Sequence, residues 1–168
     1  MSRAFVKEVD GVEEALLQRP VSERPNYVTA KGLAALKARV DELLDRKLAL
    51  EGHEDLSAKQ QLQSLERDLH YVVERVETAI LVNAKAQIKD EVHFGAAITV
   101  ADAKGQKQTF VIVGEDEADI AAGKIGWTSP LAEALIGGRV GDVVIWKRPT
   151  GDAELEILAI VYPDAEAS

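Results

Sequence analysis

The chain has no cysteine among its 168 residues. That excludes disulfides, thiolate nucleophiles and cysteine-ligated zinc, and it fits a reducing cytoplasm. Aromatic residues make up only 5%, so whatever is buried must be largely aliphatic. Positive charge is also scarce: 20 Lys and Arg stand against 29 Asp and Glu, for a net charge of −9. A protein that binds nucleic acid through a dominant basic surface needs clustered Lys and Arg to neutralise phosphates, and this balance argues against one. A protein partner or a metal ion is the expected alternative. No apolar run approaches the roughly 20 residues that span a bilayer, and the N-terminus has no continuous apolar signal core, so a soluble intracellular protein without a membrane partner is expected. Three further patterns are missing: a Ser–His–Asp set, a glycine-rich nucleotide fingerprint and a His-x-x-x-His zinc pair. An enzyme acting alone is therefore not expected.

What the sequence does have is periodicity. Leu33, Leu36, Val40, Leu43, Lys47 and Leu50 alternate spacings of three and four, and Leu62, Leu65, Leu69, Val72, Val76 and Ile80 repeat the pattern. Each set forms one stripe of a helix. Two stripes joined by a few turn residues bury themselves against each other, which predicts an antiparallel helical hairpin over 27–82. Thr29 is the expected N-cap of the first arm, and Gly52 its left-handed stop. For the second arm, Ser57 and Gln60 offer a capping box, with Asp55 as a competing cap. Glu66, Arg67, Asp68, Glu74, Arg75 and Glu77 fall off the stripe and read as a solvated face. Lys31, Lys37, Arg39, Arg46 and Lys47 make the first arm more basic, suited to pairing with acids of the second.

Residues 1–26 read as an N-terminal tail. Pro20 and Pro25 oppose helix continuation there, while Val12 to Leu17 is suited to one amphipathic turn. The helical period stops at 83–91, a candidate linker. Strand-like segments follow at Val92 to Val100, Gln108 to Val113, Lys124 to Trp127, Val143 to Lys147 and Glu154 to Val161, separated by turn signals such as Asp102-Ala103-Lys104-Gly105. One short helix interrupts them, capped by Ser129, opened by Pro130 and closed by Gly137. The expectation is α+β, with an antiparallel sheet domain over 92–163 and a short tail at 164–168. Gly95, Gly114 and Gly141 read as positions of close approach or positive φ.

Candidate site residues fall in two places. Glu51, Glu54 and Asp55, with His53 between them, place three carboxylates in the hairpin turn. Carboxylate oxygens are what a hard cation accepts, yet an exposed turn is ordinarily polar and an acid there also complements a helix N-terminus. No metal site of the chain's own is expected, and His70 and His93 lack ligand spacing. The second place is the run Asp116, Glu117 and Asp119 together with Ser129 and Pro130.

Val92-His93-Phe94-Gly95-Ala96, Ile112-Val113-Gly114-Glu115-Asp116-Glu117-Ala118-Asp119, Ser129-Pro130-Leu131-Ala132-Glu133-Ala134-Leu135-Ile136-Gly137 and Val140-Gly141-Asp142 occur in an order and spacing that resembles the Gre transcript-cleavage factors of bacterial RNA polymerase. The resemblance covers 27–163. It implies a globular domain of the FKBP-like type that docks on core RNA polymerase at the rim of its secondary channel, with the hairpin entering the pore as a finger. It further implies a monomer, and contact with nascent RNA at most indirect. Asp116, Glu117, Asp119, Ser129 and Pro130 would then form the partner-binding patch. In cleaving members, fingertip acids help the polymerase hold a second Mg²⁺, and Glu51, Glu54 and Asp55 are the tip candidates for such a shared ion. The chain departs from that pattern. Cleaving members carry Gly-Asp-x-x-Glu-Asn-Ala-Glu-Tyr at the tip, where this chain has Glu51-Gly52-His53-Glu54-Asp55. Its finger is also expected to be shorter by about two turns per arm, or roughly 10 Å. Channel occupancy is thus the leading expectation, true cleavage stimulation a second, and a Gre-fold regulator of a different protein a third.

Overall fold

Where the periodicity of the first arm begins, the backbone finds its cap. In the structure, a computed structural model that describes residues 18–163, the Thr29 hydroxyl accepts a hydrogen bond from the Gly32 N–H at 2.9 Å and opens helix α1 (Ala30–Leu50). Gly52 takes φ +88°, the left-handed turn that ends the arm. Helix α2 (Leu56–Glu77) restarts on Asp55, whose carboxylate accepts from the Ala58 N–H at 3.2 Å. The capping box expected from Ser57 and Gln60 does not form, because Ser57 already lies inside the first turn; its hydroxyl accepts from the Gln61 side chain instead. The expected amphipathic turn at Val12 to Leu17 and the tail 164–168 lie outside the described residues.

The chain divides into two units. The first is built on Ala34–Ala79 with the chain up to Pro25. Its seam follows the heptads: Leu36, Leu43, Leu65 and Val72 are buried, with Leu43 fully so, while Val40, Leu50, Leu62, Leu69 and Val76 between them are half-buried. Lys47 reaches Glu66 on the other arm at 3.7 Å. Arg75 departs from the solvated face expected of it and is only 1% exposed.

The second unit takes Asn26–Leu33 together with the chain from Ile80. Strand β1 (Tyr27–Val28) pairs in parallel with β2 (Ile80–Leu81). The Asn26 and Val28 carbonyls accept from the N–H groups of Ile80 at 2.8 Å and Val82 at 3.1 Å. Both roots of the hairpin therefore belong to this unit, inside the 27–82 range expected for the hairpin itself. The stretch expected as a linker also packs here: it holds a 3₁₀ turn at Ala84–Ala86, and Ala84 is buried in the core.

The main sheet contains β3 (Ala97–Ala101), β4 (Lys107–Val113), β5 (Lys124–Gly126), β6 (Val143–Trp146) and β7 (Ala153–Val161) in the order β5-β4-β3-β7-β6. It is mixed, not antiparallel throughout, because β5 lies parallel to β4. The ten residues between them carry two 3₁₀ turns and give the crossover that a parallel neighbour requires. The first strand starts at Ala97, later than its apolar run suggests. Gly95 at φ +90° breaks the extended run, and the Val92 and Gly95 N–H groups donate to Gly138 and Ile112 carbonyls. Helix α3 (Pro130–Leu135) packs Leu131, Ala132 and Leu135 into a core with Ile98, Ile112 and Ile157, the last three fully buried. Gly114 is required by close approach: a Cβ there would lie 2.5 Å from the Tyr27 carbonyl oxygen.

A polar clasp closes the unit. The Tyr162 hydroxyl donates to the Glu91 carbonyl at 2.5 Å and accepts from the His93 N–H at 3.0 Å. The Glu91 carboxylate accepts from Arg139 at 2.6 Å and meets the His93 ring at 3.0 Å. Hydrogen bonds from Arg139 and then His93 hold the Glu91 carboxyl below its ordinary value, and burial raises the Tyr162 hydroxyl.

Candidate partner-binding surface

The crossover between β4 and β5 and the start of α3 build one wall each of an open groove of about 390 Å³ in the second unit. Its floor is apolar, with Phe110, Ile125, Leu131 and Trp146, and its rim is polar, with Glu115, Lys124, Thr128 and Ser129. Ser129 caps α3 by accepting from the Ala132 N–H at 3.3 Å, which leaves Pro130 at the first helical position and exposed at the rim. Thr128 donates to Glu115 at 3.0 Å and ties the two walls together. Ile120 lines the groove from the crossover and is 85% exposed. An isolated aliphatic side chain so exposed at the mouth of an apolar groove is the kind of anchor that partner surfaces bury.

The residues singled out in the sequence distribute unevenly over this surface. Ser129 and Pro130 line it. Asp116 and Asp119 lie exposed on the crossover wall between lining residues Glu115, Ala118 and Ile120. Glu117 turns elsewhere. Its side chain is 13% exposed, accepts from the Thr29 hydroxyl, and sits 4.0 Å from the Lys124 ammonium. It thus seats the first turn of α1 in the second unit, and Gly32 is the residue that leaves room for it. Sequence reasoning passed over Ile120, Phe110 and Trp146 as site residues. Ile120 had a signal, a lone branched aliphatic in the run Glu115-Asp116-Glu117-Ala118-Asp119-Ile120-Ala121-Ala122. Phe110 and Trp146 had none, since aromatic residues in strands read first as core.

The hairpin turn belongs to the other unit. Glu51, His53, Glu54 and Asp55 are all exposed, and Asp55 is engaged as the α2 cap. Among the described residues no three His, Asp or Glu side chains come together as a cation-holding group. The tip residues by themselves therefore do not fit a Mg²⁺ site. Among the described residues no helix is long and apolar enough to cross a membrane.

Fold and groove thus define an α+β protein that pairs a helical hairpin with an apolar surface groove. A family model described as the C-terminal part of the transcription elongation factors GreA/GreB matches residues 87–162, the stretch that holds the sheet and the groove. Transcription elongation factor GreB of Neisseria meningitidis serogroup A is 33% identical over 157 residues, covering 84% of this chain and 96% of that protein. Transcription elongation factor GreA of Anaeromyxobacter sp. is 35% identical over 145 residues, covering 86% of this chain and 82% of that one. The crystal structure of GreA factor homolog 1 (Gfh1) of Thermus thermophilus aligns with a TM-score of 0.40 at 22% identity, over 82% of this chain and 99% of that one. The chain belongs to the GreA/GreB family of transcription elongation factors.

Proposed function

We propose that this elongation factor docks on core RNA polymerase through the groove of its second unit, inserts its hairpin into the secondary channel, and regulates transcription by occupying that channel. The observation that carries the reading is the juxtaposition of the exposed Ile120 with Ser129 and Pro130 around an apolar floor, inside the stretch that matches the family. Such a groove buries an apolar side chain of its partner, and the polar rim of Glu115, Lys124 and Thr128 fixes orientation. Asp116 and Asp119 supply negative charge beside it and favour a basic partner surface. The chain stimulates no cleavage of its own in this reading. Asp55 is engaged as the cap of α2, which supports occupancy over the delivery of a metal ligand by that residue.

The test is a binding titration against core polymerase. Ile120→Asp is expected to weaken binding about tenfold or more, the loss of about 1.4 kcal/mol or more that marks an interface anchor. Its high exposure means the fold should be untouched, checked by an unchanged melting curve. Unaltered affinity would remove the groove from the interface. A backtracked elongation complex given the protein and Mg²⁺ tests the occupancy half. RNA fragment release that vanishes in the Glu51→Ala, Glu54→Ala, Asp55→Ala triple variant would replace occupancy with cleavage stimulation. Failure to bind polymerase at all would favour a different protein partner.

A further inference from the structure

The two edges of the main sheet are finished differently. At β5 the crossover closes the edge: Lys124 and Asp119 exchange both main-chain hydrogen bonds at 2.9 Å, and the Gly126 carbonyl accepts from the Ser129 N–H at 2.9 Å. At β6, among the described residues, no further strand pairs with the outer side. The Ile157 N–H donates to the Asp142 carbonyl at 2.9 Å on the β7 side. Antiparallel ladders alternate, so Val144 and Trp146 direct their main-chain groups at β7, and Val143 and Ile145 turn theirs outward. The side chains divide in the same way. Val144 and Trp146 pack against the core, while Val143 is 60% and Ile145 53% exposed on the opposite face. Val140, just before the strand, is exposed as well. An open edge carrying exposed branched side chains is a template for another strand.

We propose that β6 pairs antiparallel with β6 of a second copy of this chain, joining the two sheets across a two-fold axis. The edge is complementary to its own reverse. Side chains keep their faces only in registers that set odd positions opposite odd and even opposite even. One such register puts Ile145 on the axis, opposite its own counterpart. Val144 then faces Trp146, Val143 faces Lys147, and Asp142 faces Arg148, an opposite-charge pair that the two-fold repeats. No other register brings Asp142 across from Arg148. Both side chains are exposed and placed for it. The Arg139 N–H occupies Oδ2 of Asp142 at 2.9 Å and leaves the other oxygen for an outside donor. The Arg148 guanidinium is held over the Trp146 ring, 5.1 Å from its centre, by its Nε on the Gly151 carbonyl at 3.1 Å, and its terminal N–H groups point to the pairing. A contact this small is transient, so a dilute chain stays monomeric. Trp146 also floors the groove of the second unit. The consequence for transcription rests on docking through that groove: a second copy beside the floor competes with polymerase, and the monomer is the docking form. The pairing itself does not rest on it.

The test uses the full chain without polymerase. Sedimentation equilibrium is expected to give the mass of one chain at about 1 μM and an average mass rising toward twice that as the concentration nears about 1 mM. A constant mass over that range would overturn the proposal. Arg148→Asp alone and Asp142→Arg alone are each expected to stay at the mass of one chain, because each sets like charges face to face. An equal mixture of the two restores both opposite pairs and is expected to associate. A mixture that stays monomeric, with circular dichroism unchanged in both variants, would overturn the proposal. Register is read separately and needs no charge change, since the chain has no cysteine of its own. Ile145→Cys is expected to form a disulfide-linked dimer on mild oxidation, because directly opposed residues bring their Cα atoms to about 5.5 Å. Val143→Cys is expected to remain unlinked, its counterpart lying four residues, or about 13 Å, along the strand. Any other pattern of linkage would overturn the register and the proposal with it. Because polymerase is absent, these outcomes are independent of whether the groove of the second unit docks on it.

Discussion

The hairpin and the sheet unit are held together in different ways. In the hairpin, burial comes in single file: Leu36, Leu43, Leu65 and Val72 are covered, and the residues between them are half open. In the sheet unit Ile98, Ile112, Leu135 and Ile157 are all fully buried around one another, and the clasp of Glu91, Arg139, His93 and Tyr162 is layered on the outside. One unit is a narrow seam between two helices. The other is a volume in which each side chain has many neighbours. A seam transmits little beyond the next turn, whereas a volume holds a groove rim in place.

The two interiors are expected to respond differently when each loses a buried side chain. Ile157→Ala is expected to cost the sheet unit about 3–4 kcal/mol and Leu43→Ala about 2–3 kcal/mol in the hairpin, since a thin seam collapses around a cavity more readily than a packed core. Hydrogen exchange resolved by residue is the check: each loss should stay within its own unit, and exchange that rises in both would show that the two melt as one. A smaller effect is expected at the turn, where Asp55→Ala removes the α2 cap and costs about 1 kcal/mol. Exchange should rise over the first turn of α2 and nowhere in the sheet. The smallest and most specific change concerns pH. Glu91 is held below its ordinary carboxyl value of 4.5 by Arg139 and His93, so its contribution is present above that value and is lost as pH falls through its lowered folded value. Glu91→Gln should flatten that part of the acid limb of a thermal melt taken at successive pH values. An unchanged limb would show that the clasp adds no acid-dependent stability.

The hairpin was legible because periodicity is a property of neighbours in sequence. The Thr29 cap and the Gly52 stop read correctly, as did Ser129 and Pro130 at the start of α3 and the stripes except at Ile80, which leaves the helix for β2 and is exposed. Arg75 did not: its place in the heptad predicts a solvated residue, and it is buried. The parallel placement of β5 was equally hidden, since a short strand shows its residues but not its direction. Glu117 shows the limit of reading charge: three acids in one loop look alike in sequence, and only the position of Thr29 turns one of them inward. The groove was half visible, through its helix cap, while its aromatic floor looked like any core.

The parallel pairing of Tyr27–Val28 with Ile80–Leu81 fastens both ends of the helical excursion within the sheet unit. The chain departs on its helical excursion from one strand and comes home on the strand beside it, so everything between the two is, to the sheet unit, a single long insertion with its ends fastened. Matched additions to both arms, seven residues and about 10.5 Å at a time, would move the turn without moving either fastening. Reach is in this way an independent variable of the design, adjustable by copying or deleting heptads while the groove is left as it was.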